Sequence, residues 1–328
     1  MFGEVLYCGL FLIKQRIPII LPLKLFKHTL GRIVRMKLTF TPSMKQTQKQ
    51  RKGAIWLTII LGLIIVMAIQ AISMIPSYYI ENAGAQEVYV LFANIAVIIA
   101  ILLFCRFFEK RSLASLGFRS TQIAKRVLTG ILLASVFLTL VFLINFFTGS
   151  IQFASNLSTV RWIYVLASFF GYLPQGLMEE IVCRGFIMNS LSARYNVKTG
   201  ILVNSLIFAI LHGVNPAITP LALFNLFLAG LLLSTIFYLT DNILFVGAFH
   251  AVWNFMLGPV FGVPVSGLSI YSSLFKTTLL PDHTLINGGS FGFEGGLGLT
   301  ISIGISFLFL FLYVKKRKAL PDPFIEEI

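Results

Sequence analysis

Charge is what this chain has least of. Asp, Glu, Lys and Arg make up 12% of its 328 residues, about half the ~25% of an ordinary soluble domain. Acids are scarcer than bases, with 12 Asp and Glu against 26 Lys and Arg. A soluble globule could not cover its apolar surface with so little polarity, and a disordered chain needs far more charge to stay solvated. Both are excluded. Cysteine is nearly absent: Cys8, Cys105 and Cys183 form no C-x-x-C pair. That argues against a disulfide framework and a Cys-based zinc site, and the three read as small buried hydrophobes. H-E-x-x-H is also missing. No internal repeat or low-complexity segment replaces these features.

What is present is apolar sequence. AVILMFWYC account for 57% of the chain, with 26 glycines besides, where ~45–50% is usual for the apolar set with glycine included. Eight segments are candidate transmembrane helices, which need ~20 mostly apolar residues. They run over 54–75, 88–108, 127–147, 162–190, 199–214, 217–239, 243–263 and 297–314. The fourth is too long and polar to be a plain span. The fifth is short and could form a hairpin with the sixth.

The formal charge of +14 reads as topology. With both termini inside, 23 Lys and Arg lie on the inner side, and only Arg161 and Lys276 lie outside. This is a strong positive-inside signal. It implies contact with anionic lipid at the cytoplasmic face, and nucleic acid is not an expected partner. The predicted fold is therefore an all-α polytopic membrane protein of about eight transmembrane helices, with both termini cytoplasmic and an intramembrane cavity. Residues 1–52 form a basic N-terminal extension, 53–318 the membrane domain and 319–328 a short cytoplasmic tail. The extension reads as an interfacial helix around Leu23–Met36, or as the product of a start codon assigned too early, since Met36 or Met44 would give a shorter head. The glycine-rich outer segment 261–296 is expected to be mobile.

Ionisable and strongly polar residues inside a span cost ~2.5–3.5 kcal/mol each on insertion scales, so each is a candidate for function. Three spans carry them. The fourth holds Glu179, Glu180 and Arg184; the fifth holds His212; the seventh holds His250 and Asn254. Glu180 and Arg184 are four apart and can pair on one helix face. His250 and Asn254, also four apart, can face one cavity. Glu179 lies ~100° round the helix from Glu180, since a turn takes 3.6 residues, and has no built-in partner. It is the better candidate base. Counted from the inner helix ends at ~1.5 Å per residue, Glu179 and His212 lie about 22 and 21 Å deep, Asn254 about 18 Å and His250 about 12 Å. One buried site is the economical reading. By contrast, Asp241 and Asn242 read as a helix cap, and His28 and His283 as solvated.

Three chemistries suit such a site. A carboxylate can activate water while His and Asn groups hold the oxyanion of a tetrahedral intermediate. That scheme needs no Ser or Cys nucleophile, and Ser205 and Ser234 read as ordinary helix serines. Zinc held by His212, His250 and a Glu is a minority alternative. A proton-coupled transporter also uses buried Glu and His, but no repeated half with paired broken helices supports one.

Taken in order and spacing, Glu179-Glu180-x-x-x-Arg184, Phe208-x-x-x-His212 and His250-x-x-x-Asn254 resemble the three motifs of the CPBP family. These are the CAAX-processing and bacteriocin-self-protection proteins, also called the Abi or type II CAAX-protease family of intramembrane glutamate endopeptidases. The resemblance covers about residues 160–260. Leu116-Gly117-Phe118-Arg119 looks like a short cytosolic element common in the family, and nothing in 1–52 belongs to the pattern. The resemblance implies eight helices around a conical cavity and proteolysis without metal or other cofactor. It implies Glu179 as the water-activating base assisted by His212, with His250 and Asn254 as the oxyanion hole. Glu180 and Arg184 would be structural, and Phe208 would pack beside His212. Family members cut prenylated CAAX proteins in eukaryotes. In bacteria they serve bacteriocin immunity or peptide-signal maturation, some without proteolysis. The Lys/Ile/Phe-rich style points to a multi-pass protein of a bacterial cell membrane. Its expected substrate is a membrane peptide or protein cut near a hydrophobic or C-terminal segment. A non-catalytic scaffold or immunity partner on the same fold is the alternative.

Overall fold

The computed structural model describes residues 38–50 and 53–316. By contacts they divide into a large unit, residues 39–303, and a small unit whose described part is Leu38 and 304–316. The interfacial helix expected around Leu23–Met36, together with Cys8 and His28, falls outside the described residues.

Helices dominate. They are α1 (Pro42–Gln50), α2 (Ile55–Met74), α3 (Ala83–Leu103), α4 (Ile123–Phe147), α5 (Trp162–Glu180), α6 (Asn189–Arg194), α7 (Val197–Leu211), α8 (Pro220–Thr240), α9 (Ile243–Phe255), a one-turn α10 (Thr284–Asn287) and α11 (Leu297–Lys316). A π-helical stretch, Ile181–Met188, joins α5 to α6 without a break. Each of the eight apolar segments thus contains a helix. Among the described residues, five helices are long and apolar enough to cross a membrane, and α7 and α11 contain shorter apolar stretches. The outward faces agree with a lipid solvent: Leu57, Ile60, Ile64 and Met67 on α2, and Leu128, Leu132 and Val136 on α4, are exposed. So large a set of exposed aliphatic side chains is unfavourable in water.

Helix ends are set locally. Asn82, Asn196, Thr219 and Asn242 cap α3, α7, α8 and α9 by accepting a backbone N–H three residues on, as Asn and Thr do in the N-cap position. The sequence places Asn242 correctly as a cap. Asp241 does more: it accepts from the Arg119 guanidinium and from the Ser43 amide and hydroxyl. Gly117, in the left-handed region at φ 86°, presents its carbonyl to the Ile243 amide at 2.9 Å. The Leu116–Arg119 element is thereby clamped to the α8–α9 turn.

α9 is the central helix. Every residue from Ile243 to Asn254 except Leu244 is buried. It lies between α5 and α4, where Trp253 stacks on Phe137 with ring centroids 4.9 Å apart. Part of the basic head is built into the same unit. In α1, Ser43, Met44 and Thr47 are fully buried. Arg111, also buried, donates to Thr47 Oγ1, Ser190 Oγ and the Gly185 carbonyl. Arg111 therefore ties helices together in addition to contributing positive charge.

Two findings differ from the sequence reading. First, a two-stranded antiparallel ribbon forms between β1 (Ile151–Ser155) and β2 (Phe275–Leu279), with Ile151 opposite Leu279 and Ser155 opposite Phe275. The strands are too short and too far apart in sequence to register beside the long apolar runs. Second, the outer segment expected to be mobile is packed. Phe291 and Phe293 are fully buried. Glu294 accepts from Trp253 Nε1 and from the Ser266 amide and hydroxyl, and Asn225 donates to the Glu294 and Gly296 carbonyls. Its glycines serve close approach. A Cβ on Gly292, at φ 88°, would lie 2.2 Å from the Pro264 carbonyl oxygen.

Candidate active site

The site forms where α5, α7 and α9 meet. α5 is irregular on both sides of its carboxylates. Pro174 interrupts the helical hydrogen bonding one turn before Glu179, and the π-helical stretch begins directly after Glu180. Such π segments are frequent at functional sites because they re-aim side chains. Gly176 lets α5 touch α9: a Cβ there would sit 2.6 Å from the Ala251 nitrogen. This contact lies beside Gln175 and just before Glu179 and Glu180 on one helix, and next to His250 on the other. The third side comes from α7, which ends at Leu211 with His212 as its C-cap.

Glu180 is wholly buried. Its Oε1 accepts from Arg184 Nη1 at 2.7 Å and from His250 Nδ1 at 2.7 Å. Arg184, equally buried, also donates to the Gly230 carbonyl at 3.2 Å. Its guanidinium lies 4.7 Å from the centroid of the Phe208 ring, within cation–π range. The predicted pair is therefore present and is extended to α8 and α9.

Glu179 retains partial access, with 18% of its side chain exposed, as has His212. Its Oε2 stands 3.6 Å from His212 Nε2 and 3.7 Å from His250 Nε2, and has no hydrogen-bond partner. Its Oε1 is held by Gln175 Nε2 at 2.5 Å. Gln175 Oε1 in turn accepts from Asn254 Nδ2 at 2.8 Å.

Donor and acceptor rules fix the ring orientations. His212 Nδ1 is 2.8 Å from the Phe208 carbonyl oxygen. A carbonyl only accepts, so Nδ1 carries a proton, and in the neutral ring Nε2 turns a lone pair toward Glu179. His250 Nδ1 faces the Glu180 carboxylate and donates by the same rule. Its Nε2 can offer a further N–H only when both ring nitrogens are protonated. The charges of Glu179, Glu180, Arg184 and that doubly protonated His250 then sum to zero. Among the described residues no set of three His, Cys, Asp or Glu groups is arranged as a metal site.

All seven residues singled out in the sequence, Glu179, Glu180, Arg184, Phe208, His212, His250 and Asn254, lie in this one cluster or directly against it. Phe208 stacks near His212 with ring centroids 4.5 Å apart. The sequence reading gave no role to Gln175, although a Gln four residues before Glu179 in an apolar span was a visible signal. Asn254 meets Gln175, whereas its expected companion His250 turns to the carboxylates. Residues Gly288-Gly289-Ser290-Phe291-Gly292 spell G-x-S-x-G. Ser290 is exposed in the loop over 261–296, away from the strand-to-helix elbow such a motif requires. His283 is exposed, as expected, and Cys105 and Cys183 are buried and free.

The comparisons with known proteins bear on this region. Residues 160–256 match the family model described as type II CAAX prenyl endopeptidase Rce1-like. No curated protein matches the chain. The matched residues contain every group of the cluster from Gln175 to Asn254. Residues 160–256 are thus similar to a type II CAAX prenyl endopeptidase Rce1-like domain, consistent with the CPBP/CAAX protease family whose three motifs they resemble.

Proposed function

We propose that the chain is an intramembrane endopeptidase in which Glu179 activates the attacking water without a metal. The observation that carries this reading is the unpartnered Glu179 Oε2 facing the His212 Nε2 lone pair at 3.6 Å. That gap is too long for a direct hydrogen bond, and a water admitted with the substrate would bridge the two atoms. The water donates one proton toward each. Glu179 takes a proton as the oxygen forms a bond to the peptide carbonyl carbon, and the carbonyl electron pair moves onto its oxygen. The second N–H of Asn254 and the Nε2–H of doubly protonated His250 stabilise that oxyanion. Collapse breaks the C–N bond, and Glu179 returns its proton to the leaving nitrogen. Glu180 and Arg184 hold His250 in place.

The substrate class that fits a site inside an apolar bundle is a membrane-inserted peptide or protein cut near a hydrophobic or C-terminal segment. We place the chain as a multi-pass protein of a bacterial cell membrane, both termini cytoplasmic, its basic loops against anionic lipid. Bacteriocin immunity and peptide-signal maturation are the roles this chemistry would serve. The test uses the purified full chain in detergent and an internally quenched peptide with an apolar segment, its products identified by mass. Glu179→Ala should lower cleavage at least ~100-fold, as expected for loss of a general base, and leave thermal stability near that of wild type. Full activity in Glu179→Ala would remove the assignment. A chelator should leave the wild-type rate unchanged; loss restored by added zinc would replace the mechanism with a metal-dependent one.

A further inference from the structure

We infer that Gln175 is a positioning residue that aligns the water-activating carboxylate and the oxyanion donor as one unit; this rests on the endopeptidase reading above. Gln175 reaches two groups on two helices. Its Nε2 lies 2.5 Å from Glu179 Oε1, and its Oε1 lies 2.8 Å from Asn254 Nδ2. The direction of this chain is dictated chemically. A carboxylate can only accept, so the amide nitrogen of Gln175 must face Glu179. Its carbonyl oxygen must then face Asn254, and only the Asn254 amide nitrogen can satisfy it.

Two consequences follow for catalysis. Holding Oε1 of Glu179 fixes the carboxylate plane and leaves Oε2 aimed at the two histidines. Holding one N–H of Asn254 fixes that amide with its nitrogen toward the site, so its second N–H remains for an oxyanion. Without Gln175 the Asn254 amide could rotate and present its oxygen, an acceptor, where a donor is required.

Length and charge are both specific. Asn at this position is one methylene too short to bridge. Glu has the length but, when ionised, offers a second acceptor to Glu179 and no donor. The close approach at Gly176, the next residue, brings α9 near enough for Asn254 to be reached.

The test measures kcat and KM for Gln175→Leu, Gln175→Glu and Gln175→Asn in the full chain with the same quenched peptide. Loss of a hydrogen bond to a charged group predicts a fall in kcat of about 10- to 100-fold for Gln175→Leu, with KM changed less than about twofold. Gln175→Glu should be at least as impaired despite its shape. In the Asn254→Ala background, Gln175→Leu should cost distinctly less than in wild type, because part of its effect acts through Asn254. A wild-type kcat in Gln175→Leu, a kcat loss matched by an equal rise in KM, or fully multiplicative effects with Asn254→Ala would each overturn the proposal. Equal thermal stability of the variants separates positioning from misfolding. A variant that loses its fold is replaced by Gln175→Met, judged by the same outcomes. Should Glu179→Ala retain full activity, the endopeptidase reading itself falls. Should Glu179→Ala be dead while Gln175→Leu is unimpaired, only the role of Gln175 falls.

Discussion

At the scale of single residues, the two adjacent glutamates show how one residue of offset separates two tasks. Glu180 is sealed, with its Oε1 held by both Arg184 and His250, while Glu179 lacks an Arg partner and keeps 18% of its side chain exposed. Removing a partner from the sealed carboxylate should therefore be a stability event. Breaking a buried ion pair by deleting one side costs ~3–5 kcal/mol, since the remaining charge stays buried. Arg184→Leu is expected to lower the thermal midpoint in detergent severely, or to prevent accumulation of folded protein. Glu179→Ala should do neither. If Arg184→Leu were as stable as wild type, the ion pair would not hold the site together. Phe208 joins both sides of this division, lying under the Arg184 guanidinium and beside His212.

At the scale of elements, site geometry depends on how closely helices approach. α5 meets α9 through Gly176, where any Cβ would overlap the Ala251 backbone. Gly176→Ala is expected to push the helices apart by a few tenths of an ångström or more. Overpacking of this kind costs ~1–3 kcal/mol. The larger effect should be on rate, because Asn254–Gln175 and His250–Glu180 both span this interface. We expect at least a tenfold loss of kcat in the quenched-peptide assay, since 1 Å of misplacement can cost ~100-fold. A fully active Gly176→Ala would show that the interface tolerates displacement. The helix segments were legible because a 20-residue apolar run has few other uses. The π-helical stretch was not, since it leaves no mark in apolar spacing. Nor was the ribbon of β1 and β2, whose pairing joins positions more than a hundred residues apart.

At the scale of the whole molecule, segments outside residues 160–256 clamp the α8–α9 turn. Ser43 and Arg119 converge on Asp241 at the α8–α9 turn, and Thr47 meets Arg111. The sequence by itself left the head as a separable extension, but residues 42–50 form α1 in the larger unit. A chain started at Met36 keeps these contacts, whereas one started at Met44 loses Ser43. Losing its bonds to a buried carboxylate should cost ~1.5–3 kcal/mol. The Met44 chain should melt at clearly lower temperature than the Met36 chain in the same detergent. Equal melting would mean that the clamp adds nothing to stability.

The sequence alone determined that the protein is helical and apolar, which few residues are out of place in lipid, and which of two carboxylates lacks Arg184 as a partner. Those properties are encoded in composition and in the 3.6-residue period of single helices. Only the tertiary structure decided which histidine nitrogen faces which glutamate, that Gln175 joins Glu179 to Asn254, and that α1 and the glycine-rich loop over 261–296 are packed. Each depends on the distance and rotation between segments remote in sequence. Close backbone contact at a glycine and the one-way direction of hydrogen-bond donors set that geometry jointly, and no single segment carries it.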